Sequence, residues 1–347
     1  MSPKLEALRA AVQHNCHVAD ARHAGEDGLC VYLLKMREYY RWEQGHSFRE
    51  LLPKAAIADW ITRRERLWEA LEDAPFEPLR IDGDEFDPFD TARINAAVGA
   101  DGLVYSGGLG RRAKPHFFLA RLERREEHDG FTVFVSEREY ARDLTAPPAM
   151  SLADSVFVRR ESLRRMIWEK VEEWRWNRRE NPMARALAGY DFDHAPEQAL
   201  EEMTEKELHS VILHECGEVR AGRALGPDWE ALLGALPRSR AELMVRAVRD
   251  HLADCDSTLP ALLEAAEGQS LHFYFAGFGG MRRELFPSLR SAYDEWLRSD
   301  DRAALAAAVE RGRRHWYALA ERMLELYRRD GGACVRELEE LVDANRL

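Results

Sequence analysis

Apolar residues recur at helical spacing along most of this chain, and the segment between about residues 77 and 150 breaks the pattern. Residues 3–76 read as three or four helices, by the three-to-four-residue recurrence of apolar positions. Leu5, Val12 and Cys16 mark one face of the first, which is expected to run to about His23 and end near Gly25. A second helix begins after Gly28 and is apolar around most of its circumference through Glu43. Such a helix belongs at the centre of a bundle. Gly45 stops it, Ser47 is placed to cap the next helix, and Pro53 is placed to kink or end that one.

The composition then shifts. Pro78, Gly83 and Pro88 lie among acids, with a short helix expected around Asp90–Val98. Leu103–Ser106, His116–Leu122 and Phe131–Val135 read as strands, the last two joined by a turn centred on Asp129-Gly130. Pro147-Pro148 breaks the chain, and Asp154 or Ser155 is positioned to open a long helix through about Arg179. Beyond it the spacing stays helical, with stops at Asn181-Pro182, Gly226-Pro227, Pro237, Pro260 and Gly277–Gly280. The expected fold is mainly α, a helical bundle with a small inserted antiparallel β-sheet. Its segments are residues 1–76 (helical), 77–150 (the α+β insert) and 151–347 (helical).

Charge and composition narrow the function. The 347 residues carry a net charge of −12, which disfavours phosphate-neutralising contacts with nucleic acid. The arginine pairs at 159–160, 164–165 and 178–179 are interleaved with glutamates and read as solvated helix faces. No apolar stretch is long enough to cross a bilayer, and the first residues lack a signal-peptide core. Cysteines 16, 30, 216, 255 and 334 are odd in number and form no Cys-x-x-Cys, so reduced thiols in a cytoplasmic protein are expected.

The chemistry concentrates at Glu207–Glu218. Thr204 and Glu207 fit a capping box, and Leu208, Val211, Ile212, Cys216 and Val219 follow at helical spacing. Glu215 falls inside that apolar arc, where a carboxylate is expensive to bury without a partner. His214 and Glu218, four residues apart, stack on one edge of it as two ligands of one ion would. The alternative is an ordinary amphipathic helix in which Glu215 pairs with an arginine. The run resembles the zincin helix, His-Glu-x-x-His followed by a small residue and glycine. That resemblance implies His214 as a ligand and Glu215 as the general base on metal-bound water. Glu218 stands where that family has its second histidine. Glutamate is an acceptable zinc or iron ligand, so the departure leaves metal binding and puts peptidase activity in question.

Two other groups offer further ligands. His14, His17 and His23 crowd the first helix, and an N-terminal histidine could complete the set. The run from His14 through Glu43 resembles an uncharacterised bacterial family of unknown function, which assigns no role to any residue. His251 and Asp254 lie near the end of a later helix and are the other source of a third ligand. Asp254 and Asp256 also read as turn residues ahead of Ser257-Thr258. The glycine-rich stretch Ser106–Lys114 fits neither a P-loop nor a dinucleotide fingerprint, and no Gly-x-Ser-x-Gly elbow occurs.

Three functions remain open on these residues. The favoured one is a zinc hydrolase acting on a small-molecule or peptide substrate. The second is a helical-bundle mono- or di-iron oxidase or oxygenase, and the third a non-enzymatic interaction protein. Nothing in the sequence fixes an oligomeric state.

Overall fold

The computed structural model describes residues 2–26, 28–110, 114–128 and 130–347. Asp129 of the expected turn, and Arg111, Arg112 and Ala113 of the glycine-rich stretch, lie outside the described residues. The chain divides into two units, residues 1–168 and 169–347. The fold is mainly α, as the spacing predicts.

The N-terminal unit opens with α1 (Pro3–His23), α2 (Leu29–Gln44) and α3 (Lys54–Leu71). Ser2 caps α1 by accepting the Leu5 N–H at 3.2 Å. Pro53, which was expected to kink or end a helix begun at Ser47, instead stands immediately before α3. There its missing N–H costs nothing. α2 is not central along its whole length: Met36, Tyr39 and Tyr40 are buried, but Leu29 is 71% and Leu34 56% exposed.

A short hairpin, β1 (Leu79–Ile81) and β2 (Asp84–Phe86), and α4 (Thr91–Val98) follow. The main sheet contains β3 (Leu103–Leu109), β4 (Pro115–His128), β5 (Phe131–Arg142), β6 (Ala149–Leu152) and β7 (Ser155–Arg159), in the order β3-β4-β5-β7-β6. It is larger than three antiparallel strands. Residues 155–159, expected to begin a helix, form β7, and Val133 and Val156 face each other in a parallel β5–β7 pairing. Val156, Phe157 and Val158 are buried on both sides, and β-branched residues suit that setting better than a helix start. The helix α5 (Arg160–Asn177) starts only after them, and the division between the units falls within it. One sheet face packs Tyr105, Phe117, Leu119 and Ala141 against Leu8, Val12, Cys16 and Ala19 of α1.

The C-terminal unit is helical: α6 (Pro182–Leu187), α7 (Pro196–Leu225), α8 (Pro227–Ala235), α9 (Arg240–Ala253), α10 (Leu259–Glu264), α11 (Gln269–Gly277), α12 (Gly280–Leu285), α13 (Pro287–Ser299), α14 (Ala303–Asp330) and α15 (Val335–Asp343). Its core runs from Trp229 and Leu232 of α8 through Met244, Val245, Val248 and Leu252 of α9 to Trp316 and Met323 of α14. The capping box expected at Thr204 is absent. α7 begins eight residues earlier at Pro196, and the Thr204 hydroxyl donates back to the Leu200 carbonyl at 2.6 Å inside the helix. α9 passes directly into a π-helical turn at Asp254–Thr258, which precedes α10. No helix among the described residues is long and apolar enough to cross a membrane.

Candidate metal centre

Gly217 is what brings two helices of the C-terminal unit together. A Cβ at this position would lie 2.8 Å from the Ala253 carbonyl oxygen and 2.9 Å from its Cα. Only glycine lets the α7 and α9 backbones approach so closely. The contact sits between His214 and Glu218 on one side and Asp250 and Asp254 on the other, so two pairs at i, i+4 spacing face each other across it.

Among the described residues, His214, Glu218 and Asp250 form a group whose ligand-type atoms all lie within 4.8 Å of one another. The His214 Nε2 is 3.6 Å from Glu218 Oε1. Its Nδ1 is 2.9 Å from Asp254 Oδ1. With Nδ1 protonated and donating to that carboxylate, the tautomer leaves Nε2 free for an ion, the arrangement by which outer carboxylates orient metal-bound histidines. Asp254 opens the π-helical turn, a backbone irregularity that recurs at functional sites. It also accepts from the Tyr274 hydroxyl at 2.8 Å and pairs with Arg282. On the other flank Arg249 Nη2 is 3.0 Å from Glu218 Oε2.

The electrostatics are those of crowded acids. Burial, then the neighbouring Glu218 charge, push Glu215 up to about 7 and Asp250 up to about 6. Burial also works to raise Glu218, but Arg249 and His214 outweigh it and hold Glu218 at about 2. Burial opposes charge on His214, yet the hydrogen bond to Asp254 and the nearby Glu218 raise it well above the usual imidazole value. Asp254, buried but facing Arg282 and His214, is lowered. Glu215 is half-buried, less enclosed than Ile212 and Cys216 of the same apolar arc.

The remaining expected ligands have other surroundings. His251 is fully buried with its ring stacked on Trp316 at 4.7 Å between centroids, and its Nε2 is 3.1 Å from the Arg282 carbonyl. Burial, and then Arg282, hold it down at about 3. His14, His17 and His23 belong to the N-terminal unit and have partners there. His14 lies 3.5 Å from Glu77 and His23 3.0 Å from Glu26. His17 lies beside the Arg64 guanidinium and Trp68. Asp250 was missed as a ligand although its signal was present: it stands four residues before Asp254, matching the His214–Glu218 spacing. Arg249, Tyr274 and Arg282 carried no comparable signal.

A model for the C-terminal domain of a family of unknown function (DUF6866) matches residues 164–345, and one for the N-terminal domain of that family matches residues 7–159. The chain belongs to that family. No curated protein and no solved structure matches it.

Gly217→Ala is expected to destabilise the C-terminal unit by about 1–3 kcal/mol, the usual cost of forcing atoms into a packed contact. Gly222→Ala on the same helix meets nothing within 4 Å and should be neutral or stabilising. Urea unfolding of the two variants checks this, and equal losses would contradict the close approach.

The pH dependence has a definite sign. Glu215 and Asp250 are raised, so the folded chain holds protons that the unfolded chain has released between about pH 4 and 7. Raised His214 gives stability that is full below its ordinary value of about 6.5 and is lost as pH rises through the folded one. Lowered Glu218 and Asp254 give stability that is full above their ordinary values and is lost only as pH falls below them. Buried His251, held down at about 3, acts in the opposite direction below about pH 6.5, so the site's own contribution is read by difference: in chelator, Asp250→Asn should gain melting temperature relative to wild type as pH rises from 5.5 to 8. A variant that loses melting temperature relative to wild type over the same rise would contradict the assignment.

Proposed function

We propose that this member of the DUF6866 family binds one divalent transition-metal ion through His214, Glu218 and Asp250 and uses it for hydrolysis, with Glu215 as general base. The observation that carries the reading is the convergence of these three ligand atoms around an imidazole whose far nitrogen Asp254 already holds. Three protein ligands are the number that catalytic zinc sites use, which leaves a position for water. The charges agree. Once ion binding has displaced the protons of His214, Asp250 and Glu215, four carboxylates (Glu215, Glu218, Asp250 and Asp254) face two guanidiniums (Arg249 and Arg282), and a divalent cation would balance the remaining two negative charges. When bound, the ion supplies Lewis acidity and a more acidic water.

Each residue of the chain then has a separate task. His214 binds through Nε2 while Asp254 fixes its ring. Glu218 and Asp250 contribute carboxylate oxygens from facing helices. Glu215, one residue along from His214, takes a proton rather than holding the ion. Zinc is the proposed metal. The two carboxylates per imidazole also suit iron, and that donor ratio keeps an iron oxidase or oxygenase as the second reading. The substrate is a small molecule or peptide rather than nucleic acid, in keeping with the net charge of −12. The proposed setting is the cytoplasm, where the cysteines stay reduced.

Elemental analysis of purified protein tests the reading. Wild type should carry zinc near one per chain, and His214→Ala should lose it. Glu215→Gln should keep the metal and lose hydrolysis of a panel of ester and peptide substrates, because Gln keeps the shape but cannot take the proton. Iron near one or two per chain would favour the second reading. Equal metal content in wild type and His214→Ala would defeat both and leave an interaction protein.

A further inference from the structure

Arg249 has no role in the ligand set, yet it sits on one of the ligands. Its Nη2 lies 3.0 Å from Glu218 Oε2, while Oε1 of the same carboxylate is the oxygen nearest His214, 3.6 Å from Nε2. The two oxygens of Glu218 are thus divided between a guanidinium and the ligand group. Arg249 directly precedes Asp250 on α9, so the turn that supplies a ligand also supplies this cation. Glu218 draws the Arg249 charge most strongly, and Asp250, Glu230 and Glu215 are its other acidic neighbours.

A glutamate can bind an ion through one oxygen or through both. If Glu218 used both, together with His214 and Asp250, the protein would supply four donor atoms and water could bind only as a fifth ligand. A guanidinium engaged with Oε2 opposes that option, because it occupies one of that oxygen's two lone-pair sites and offsets the charge the ion would meet there. We propose that Arg249 is a positioning residue that reserves Glu218 Oε2, restricts Glu218 to one-oxygen coordination and so keeps the ion four-coordinate, with one of the four positions for water. This rests on the metal reading above. It also accounts for a cation placed against a ligand, where it would otherwise oppose the ion's binding.

The test is titration of the metal-free protein with cobalt(II), whose visible absorption is strong when four-coordinate and weaker when five-coordinate. Wild type should give the strong spectrum at one ion per chain. Arg249→Met keeps much of the apolar stem but cannot donate, and should give the weaker spectrum at the same stoichiometry. Arg249→Lys can still donate to Oε2 and should restore the strong one. A purely structural arginine would change unfolding but not the spectrum, so melting curves are recorded on the same samples. Strong, matching spectra from wild type and Arg249→Met would overturn this inference and leave the metal reading intact. So would a folded Arg249→Met that binds no cobalt, since Arg249 would then be holding Glu218 in place rather than limiting it. If the methionine variant does not fold, a weak spectrum from the lysine variant overturns the inference and a strong one supports it. No cobalt bound by wild type would overturn both readings.

Discussion

The contact between Gly217 of α7 and Ala253 of α9 sets the geometry on which the rest of the site depends. Two helices that meet backbone to backbone bring their flanking side chains within a few ångströms. Here those side chains are His214, Glu218, Asp250 and Asp254. Four acids, counting Glu215, are then confined where water solvates them poorly, and the chain answers with Arg249, Arg282 and a hydrogen-bonded imidazole. The raised Glu215 and Asp250 and the lowered Glu218 and Asp254 are consequences of that one packing decision. A divalent cation would relieve the same crowding that protons relieve in its absence.

One buried acid of the N-terminal unit, Glu139, is held by direct pairing. Glu139 is enclosed with Arg159, whose Nε donates to it at 2.9 Å, and the Ser162 hydroxyl donates at 2.7 Å. Glu139 therefore stays ionised despite its burial. A paired carboxylate of this kind fixes the end of β5 against the start of α5 and needs no ion.

The fold class was legible in the sequence because helical spacing persists over most of the chain. The misreadings came where local signals compete with long-range pairing. Ser155–Arg159 follows a helix-capping residue, yet it pairs with β6 directly before it and, in parallel, with β5 some twenty residues earlier, a pairing that no local pattern records. Thr204 reads as a cap because Glu207 follows at capping-box spacing, a pattern that the interior of a helix such as α7 can also carry. At the site, His214, Glu215 and Glu218 were visible through their spacing. Asp250 lay within a recognised run but was passed over for His251, since a histidine seems the better ligand until its ring is found stacked on Trp316. Which face of α9 meets α7 is decided by Gly217, whose meaning is visible only when the neighbouring backbone is in place.

Calorimetric titration of the metal-free protein with zinc near pH 6.5, in two buffers of different ionisation enthalpy, tests the central claim most directly. It reports the stoichiometry and the protons displaced together. His214 must give up its Nε2 proton, and Asp250 any it retains, before either can act as a ligand. The account predicts one ion per chain with release of about one proton or more. An absence of binding, or binding with no proton released, would contradict it.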